Sequence, residues 1–160
     1  MSGMLSKLEL LLEELEASGQ KGRSSSKSHL KAALYDWRRE GQWQNNNAAV
    51  INVDDAGYAF LSFTKREPKH CTIRHLFILE KYRGKGYGRK LMNAIKDAVK
   101  ERDVQRLRFF ADIPSVSFYE KLGYKWHGTS KTGLPFYYGD LDSNLINLPN
   151  SQARYITHDA

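Results

Sequence analysis

Cysteine is nearly absent from this chain: Cys71 is the only one in 160 residues. A lone thiol allows neither a disulfide nor a cysteine-based zinc site within the chain, so a reducing, cytoplasmic compartment and no metal are expected. Long apolar runs are missing as well. No stretch approaches the roughly 18 consecutive apolar residues that cross a bilayer, and the first residues lack a basic segment followed by an apolar core. A soluble protein with no membrane partner is expected. Internal repeats are absent too. What remains is a chain about one domain long, with 41% hydrophobic and 12% aromatic residues, which excludes global disorder.

Acidic residues are scarce in one place only. Residues 81–108 carry 10 basic and 3 acidic side chains, against 11 and 10 in residues 1–80 and 4 and 5 in residues 109–160. The net charge of +7 is therefore concentrated in a 28-residue window, which points to a local anionic partner.

Leu5, Leu8, Leu12 and Leu15 recur at helical spacing between Met4 and Ala17, with Glu9, Glu13, Glu14 and Glu16 largely on other faces. Such an amphipathic helix either binds a partner, a second copy included, or packs on its own domain. Ser18 to His29 has linker composition. Leu30 to Trp43 reads as a helix, Ala48 to Val53 and Tyr58 to Thr64 as a hairpin around Asp54-Asp55-Ala56-Gly57, and Cys71 to Leu79 as a third strand. Leu91, Met92, Ile95, Ala98 and Val99 form the apolar face of a helix reaching about Arg102. Val104 to Phe110 reads as a strand, and Pro114 to Leu122 as a short helix stopped by Gly123. Tyr124 to Thr129 and Pro135 to Leu141 read as two closing strands. The expected division is residues 1–29 as helix and linker, 30–141 as the domain and 142–160 as a tail.

Between the third strand and its helix stands Arg83-Gly84-Lys85-Gly86-Tyr87-Gly88. Alternate glycines let successive N–H groups converge on an anion, and the helix N-terminus adds partial positive charge. A pyrophosphate suits such a loop. The dinucleotide fingerprint fails because Arg89 stands at its last glycine, and the P-loop fails because Arg89-Lys90-Leu91 replaces its Gly-Lys-Ser/Thr.

The stretch from Leu76 to Met92 resembles the acetyl-CoA-binding motif of the GNAT N-acetyltransferase superfamily, [RQ]-x-x-G-x-[GA], with Arg83, Gly86 and Gly88 matching. A second segment, Phe118-Tyr119-Glu120-Lys121-Leu122-Gly123-Tyr124, is similar to the family's F-Y-x-K-x-G-[FY]. The resemblance covers roughly residues 48 to 141. It implies an α/β fold with a mixed, mostly antiparallel central sheet flanked by helices, here with an extra N-terminal helix.

It further implies acetyl-CoA as co-substrate. The strand backbone at Leu76, Phe77 and Ile78 would hold the pantetheine arm and thioester. Arg83, Gly84, Lys85, Gly86, Tyr87, Gly88 and Arg89 would hold the pyrophosphate. An amine would attack the thioester directly, with Tyr119 as general acid and a second contact to the cofactor, unless Tyr119 is a core aromatic. Asp112 stands where the family often has Asn and Ser115 where Ala is common; Asp112 would contact the cofactor or cap the next helix. No carboxylate lies inside the Cys71 to Leu79 strand, so the base falls to Glu80, His75, His70 or water.

The acceptor site would be lined by Trp126, His127, Phe136, Tyr137 and Tyr138, with Gly133-Leu134-Pro135 as a covering loop, although strand packing also explains these aromatics. The leading expectation is an N-acetyltransferase acting on a small amine or a peptide or protein amine. The alternatives are an enzyme whose acceptor is a nucleic acid or a protein bound to one, through Lys96, Lys100, Arg102, Arg106 and Arg108 of the basic 89–108 segment, and a non-catalytic CoA-binding module.

Overall fold

The computed structural model describes residues 2–19, 25–39, 47–64, 69–112, 116–121, 125–129 and 136–142. In chain order these are helices α1 (Ser2–Ala17) and α2 (Ser26–Arg39), strands β1 (Ala48–Val53), β2 (Gly57–Phe63) and β3 (His70–Ile78), a 3-10 turn at Glu80–Tyr82, and helix α3 (Tyr87–Lys100). Strand β4 (Arg106–Asp112), helix α4 (Val116–Lys121) and strands β5 (Lys125–Thr129) and β6 (Phe136–Asp142) follow. The strands lie in the order β1-β2-β3-β4-β6-β5. The pair β3–β4 is parallel, whereas β1–β2, β4–β6 and β5–β6 are antiparallel. This is the expected mixed α/β architecture.

Two compact units divide the chain: residues 1–62 with 74–95, and residues 63–73 with 96–160. In the first unit, α1 lays Leu8 into a core of Leu30, Ala33, Leu34, Trp37, Tyr58, Phe60, Phe77 and Leu79, with Leu5, Leu12 and Leu15 packed at its edge. Of the two readings open for α1, packing on its own domain is the one observed. Its Leu10 remains 61% exposed on the outer side.

Helix α2 begins four residues earlier than Leu30, inside the segment read as linker. The reason is capping: Ser25 Oγ accepts from the Ser28 N–H at 3.1 Å, and the Ser26 N–H, one of the orphan donors of the first turn, reaches Glu80 Oε1 at 3.3 Å. Residues 40–46, which include the expected end of this helix at Trp43, lie outside the described residues.

The β1–β2 turn is held by carboxylates in the left-handed region. Asp54 and Asp55 have φ of 52° and 55°. Asn52 Oδ1 accepts from the Asp55 N–H at 2.9 Å, an Asx-type bond that substitutes for glycine's freedom. Gly57, just after the turn, sits close to two side-chain ends: a Cβ there would come within 2.6 Å of Ile78 Cδ1 and 3.3 Å of Leu91 Cδ2, which would have to turn aside. Through that close approach β2 admits the end of β3 and the start of α3, the two elements that bracket the glycine loop.

In the second unit, Val99, Val104, Leu107 and Phe109 are buried, and the Tyr119 ring of α4 stacks on Phe109 of β4 with centroids 4.1 Å apart. Cys71 is fully buried, and burial pushes its thiol far above the usual range, so it is an inert core residue.

Candidate functional site

The glycine loop joins the 3-10 turn to α3. Gly84 and Gly86 take φ of 76° and 86°, conformations that disfavour any Cβ, and no atom lies within 4 Å of where one would be. The loop face is therefore open. The Arg83 N–H donates to Glu80 O and the Lys90 N–H to Gly86 O, and Gly84 lies in a turn closed at Lys85, whereas no bond is seen for the N–H groups of Gly84, Gly86, Tyr87, Gly88 and Arg89 among the described residues. These donors stand at the N-terminus of a 14-residue helix, where free N–H groups and the helix dipole favour negative charge.

The surrounding side chains fix the loop rather than fill it. Arg83 Nε donates to Ile78 O at 3.0 Å, tying the loop back to the end of β3. Lys90 pairs with Asp54 of the β1–β2 turn, and Tyr87 packs edge-on against Tyr82 with centroids 5.5 Å apart. Lys85 is exposed and Arg89 half-buried. The parallel ladder of β3 with β4 ends at Ile73↔Phe109, so Leu76, Phe77 and Ile78 carry backbone groups outside that ladder. Phe77 sends its ring into the core, stacked on His29 at 6.1 Å between centroids, so this residue offers only its backbone.

The two residues named as bases have separate fates. Glu80 caps α2: its carboxylate accepts from the Ser26 N–H and its own N–H donates to Ser26 Oγ at 2.8 Å, a reciprocal pair. His75 faces α2, with Nε2 at 2.8 Å from Asp36 Oδ2 and its ring edge-on to Phe60 at 6.0 Å. Burial pushes the His75 pKa below its ordinary 6.5, opposed by the hydrogen bond and charge of Asp36 and reinforced by Arg74. His70 lies at the other end of β3, where its Nδ1 and the Thr64 hydroxyl stand 3.3 Å apart.

Tyr119, in the second unit, is 5% exposed and stacked on Phe109. Asp112 is the last residue of β4, its backbone paired with Phe136, and its side chain lies outside the described residues. So do Gly123 and Tyr124, the loop 130–135, residues 143–160, and the side chains of Trp126, His127, Phe136, Tyr137 and Tyr138.

A model of the GNAT acetyltransferase family matches residues 8–124. The chain belongs to that family. No curated protein matches it. Among solved structures, a protein assigned to the GNAT family from Desulfovibrio desulfuricans is 16% identical, with a TM-score of 0.65 over 86% of this chain and 92% of that one. The paiA N-acetyltransferase of Thermoplasma acidophilum, solved with coenzyme A, is 17% identical with a TM-score of 0.59 over 86% and 93%. Nourseothricin acetyltransferase is 21% identical with a TM-score of 0.50 over 58% and 62%. At these identities the structural likeness concerns the fold.

Within this GNAT chain the glycine loop presents an open backbone at a helix N-terminus. The basic segment 89–108 is less of a patch than its sequence implied. Lys96 is only 2% exposed, Arg102 lies over the Phe63 ring at 4.1 Å, and Arg108 is half-buried. The sequence reading gave no role to Asp36 or Ser26, and named Asp54 only as part of a turn. A polar residue on an amphipathic helix carries no signal of which strand residue it will meet, so only Asp54, in a recognisable turn, was marked at all.

Proposed function

We propose that the chain moves the acetyl group of acetyl-CoA to a primary amine by direct attack on the thioester, with Tyr119 as the general acid. The observation that carries this reading is the open glycine loop at the N-terminus of α3, where the N–H groups of Gly84, Gly86, Tyr87, Gly88 and Arg89 show no acceptor among the described residues, an arrangement that suits the pyrophosphate of CoA. Acetyl-CoA supplies the activated acetyl thioester. The backbone of Leu76, Phe77 and Ile78 binds the pantetheine arm, and Arg83 holds strand and loop in register for both contacts.

The Tyr119 hydroxyl donates the proton that the departing sulfur takes up. Its support is the F-Y-x-K-x-G-Y segment and a ring fixed by stacking on Phe109. Of the base candidates, His75 fits the proton-accepting role better than Glu80, because the Glu80 carboxylate is taken by the α2 N-terminus. A nucleic-acid acceptor gains no support from a segment that buries Lys96.

Acetyl-CoA is expected to raise the melting temperature, and thiol release with a panel of amines and peptides measures the transfer itself. Absence of release with every acceptor would leave a CoA-binding module. Tyr119→Phe is expected to lower kcat about tenfold or more with an unchanged KM for acetyl-CoA; unchanged turnover removes Tyr119 from the mechanism.

A further inference from the structure

We infer that Asp36 is a positioning residue that holds His75 in its Nε2–H tautomer, leaving Nδ1 as the atom that accepts a proton from the incoming amine. The inference deepens the acetyl-transfer reading and rests on it. Its basis is the 2.8 Å contact of His75 Nε2 with Asp36 Oδ2. An ionised carboxylate has no proton to give, so the hydrogen in that contact belongs to Nε2, and a neutral imidazole with hydrogen on Nε2 carries a lone pair on Nδ1.

The surroundings keep this arrangement in place. The Asp36 carboxylate arrives from α2, and Arg74, on the strand itself, disfavours the protonated ring. From β2 the ring meets Phe60 edge-on, and Phe60 also packs against Trp37, the next residue after Asp36. Helix α2 is seated by Leu30, Ala33, Leu34 and Trp37 and capped by Ser25 and Glu80. The backbone that carries Asp36 is therefore held against β3. The side chains of His75 and Asp36 stay 23% and 27% exposed, so the ring is not sealed off.

In the transfer, the lone pair of the amine nitrogen forms the new C–N bond as the C–S bond breaks. The proton lost by nitrogen goes to His75 Nδ1, and the proton gained by sulfur comes from the Tyr119 hydroxyl. Asp36 stabilises the ring while it carries both hydrogens. Solvent then takes the proton from His75 and restores the one on Tyr119.

The tautomer is read directly by long-range proton–nitrogen correlation on the full chain labelled at histidine nitrogens, with His75→Gln assigning the signal. Hydrogen on Nε2 is expected in the wild type and a mixture of tautomers in Asp36→Ala; hydrogen on Nδ1 in the wild type overturns the inference. In kinetics, His75→Gln is expected to lower kcat about 100-fold and Asp36→Asn about tenfold. Asp36→Asn also moves the acid limb of the kcat/KM profile to lower pH, since the carboxylate that favours the protonated ring is gone, and Asp36→Glu restores part of both. Identical pH profiles in wild type and Asp36→Asn overturn the role of Asp36. Because the spectroscopic readout needs no turnover, a wrong tautomer sinks this inference alone. Failure of thiol release with every amine sinks the acetyl-transfer reading and the base role with it.

Discussion

In the glycine loop the N–H groups of Gly84, Gly86, Tyr87, Gly88 and Arg89 show no acceptor among the described residues, whereas beside α2 Ser26 is bonded to Glu80 and Asp36 to His75. The loop is exposed, its backbone conformation set by glycine and its flanks tied by Arg83 and Lys90. The α2–β3 face is half-buried and set by core packing. On the proposed reading, a region that attracts a polyanion keeps its donors in reserve, while one that holds a single proton at a single atom commits its partners in advance.

The largest effect that would test this contrast comes from the core. Leu8→Ala should cost about 2–5 kcal/mol in urea unfolding, because it empties the layer on which α2 sits. Under conditions where the variant stays folded, the α2–β3 face should suffer and acetyl-CoA affinity should not. Equal losses in kcat and in affinity would mean that the two regions are not independent.

Next is Gly86→Val, which forces a β-branched residue to a φ of 86°. Strain of that kind should weaken acetyl-CoA binding about 30-fold by calorimetry while leaving the pH profile in place. Unaltered affinity would show that the loop does not hold the cofactor.

A subtler check is the pH dependence of stability. The folded pKa of His75 lies below its unfolded value of 6.5, so between the two the unfolded chain binds the extra proton. Unfolding free energy should therefore fall as pH drops below about 6.5 and on through the folded value, and His75→Gln should flatten that fall.

The smallest effect belongs to the exposed pair beside the loop. Asp54→Asn should leave the melting temperature nearly unchanged, with any difference vanishing in high salt, since both members of the Lys90–Asp54 pair are more than half exposed. A large shift would mean that the turn, and not glycine, sets the loop.

Much of the fold and half of the site were legible from residue order. Strands β1 to β6 begin and end within two residues of the segments read from apolar patterning, because alternation and turn chemistry are local. The glycine loop was legible for the same reason. The start of α2 was not, because its cap bonds one short serine run to Glu80, 54 residues on. Glu80 looked like a base in sequence because a carboxylate beside a glycine loop looks available; the helix end that engages it lies far away in the chain.

By itself the sequence determined the order of elements, the conformation of the glycine loop and the family, since each rests on contacts between residues close in the chain or on a motif of fixed spacing. Tertiary structure alone decided which carboxylate meets which ring. Asp36 and His75 are 39 residues apart, and their meeting follows from how the apolar face of α2 seats over Phe60 and Phe77. Packing likewise buried Lys96 in the second unit and Leu8 of α1 in the first, because side-chain burial is settled by what covers a face and not by the residues along it.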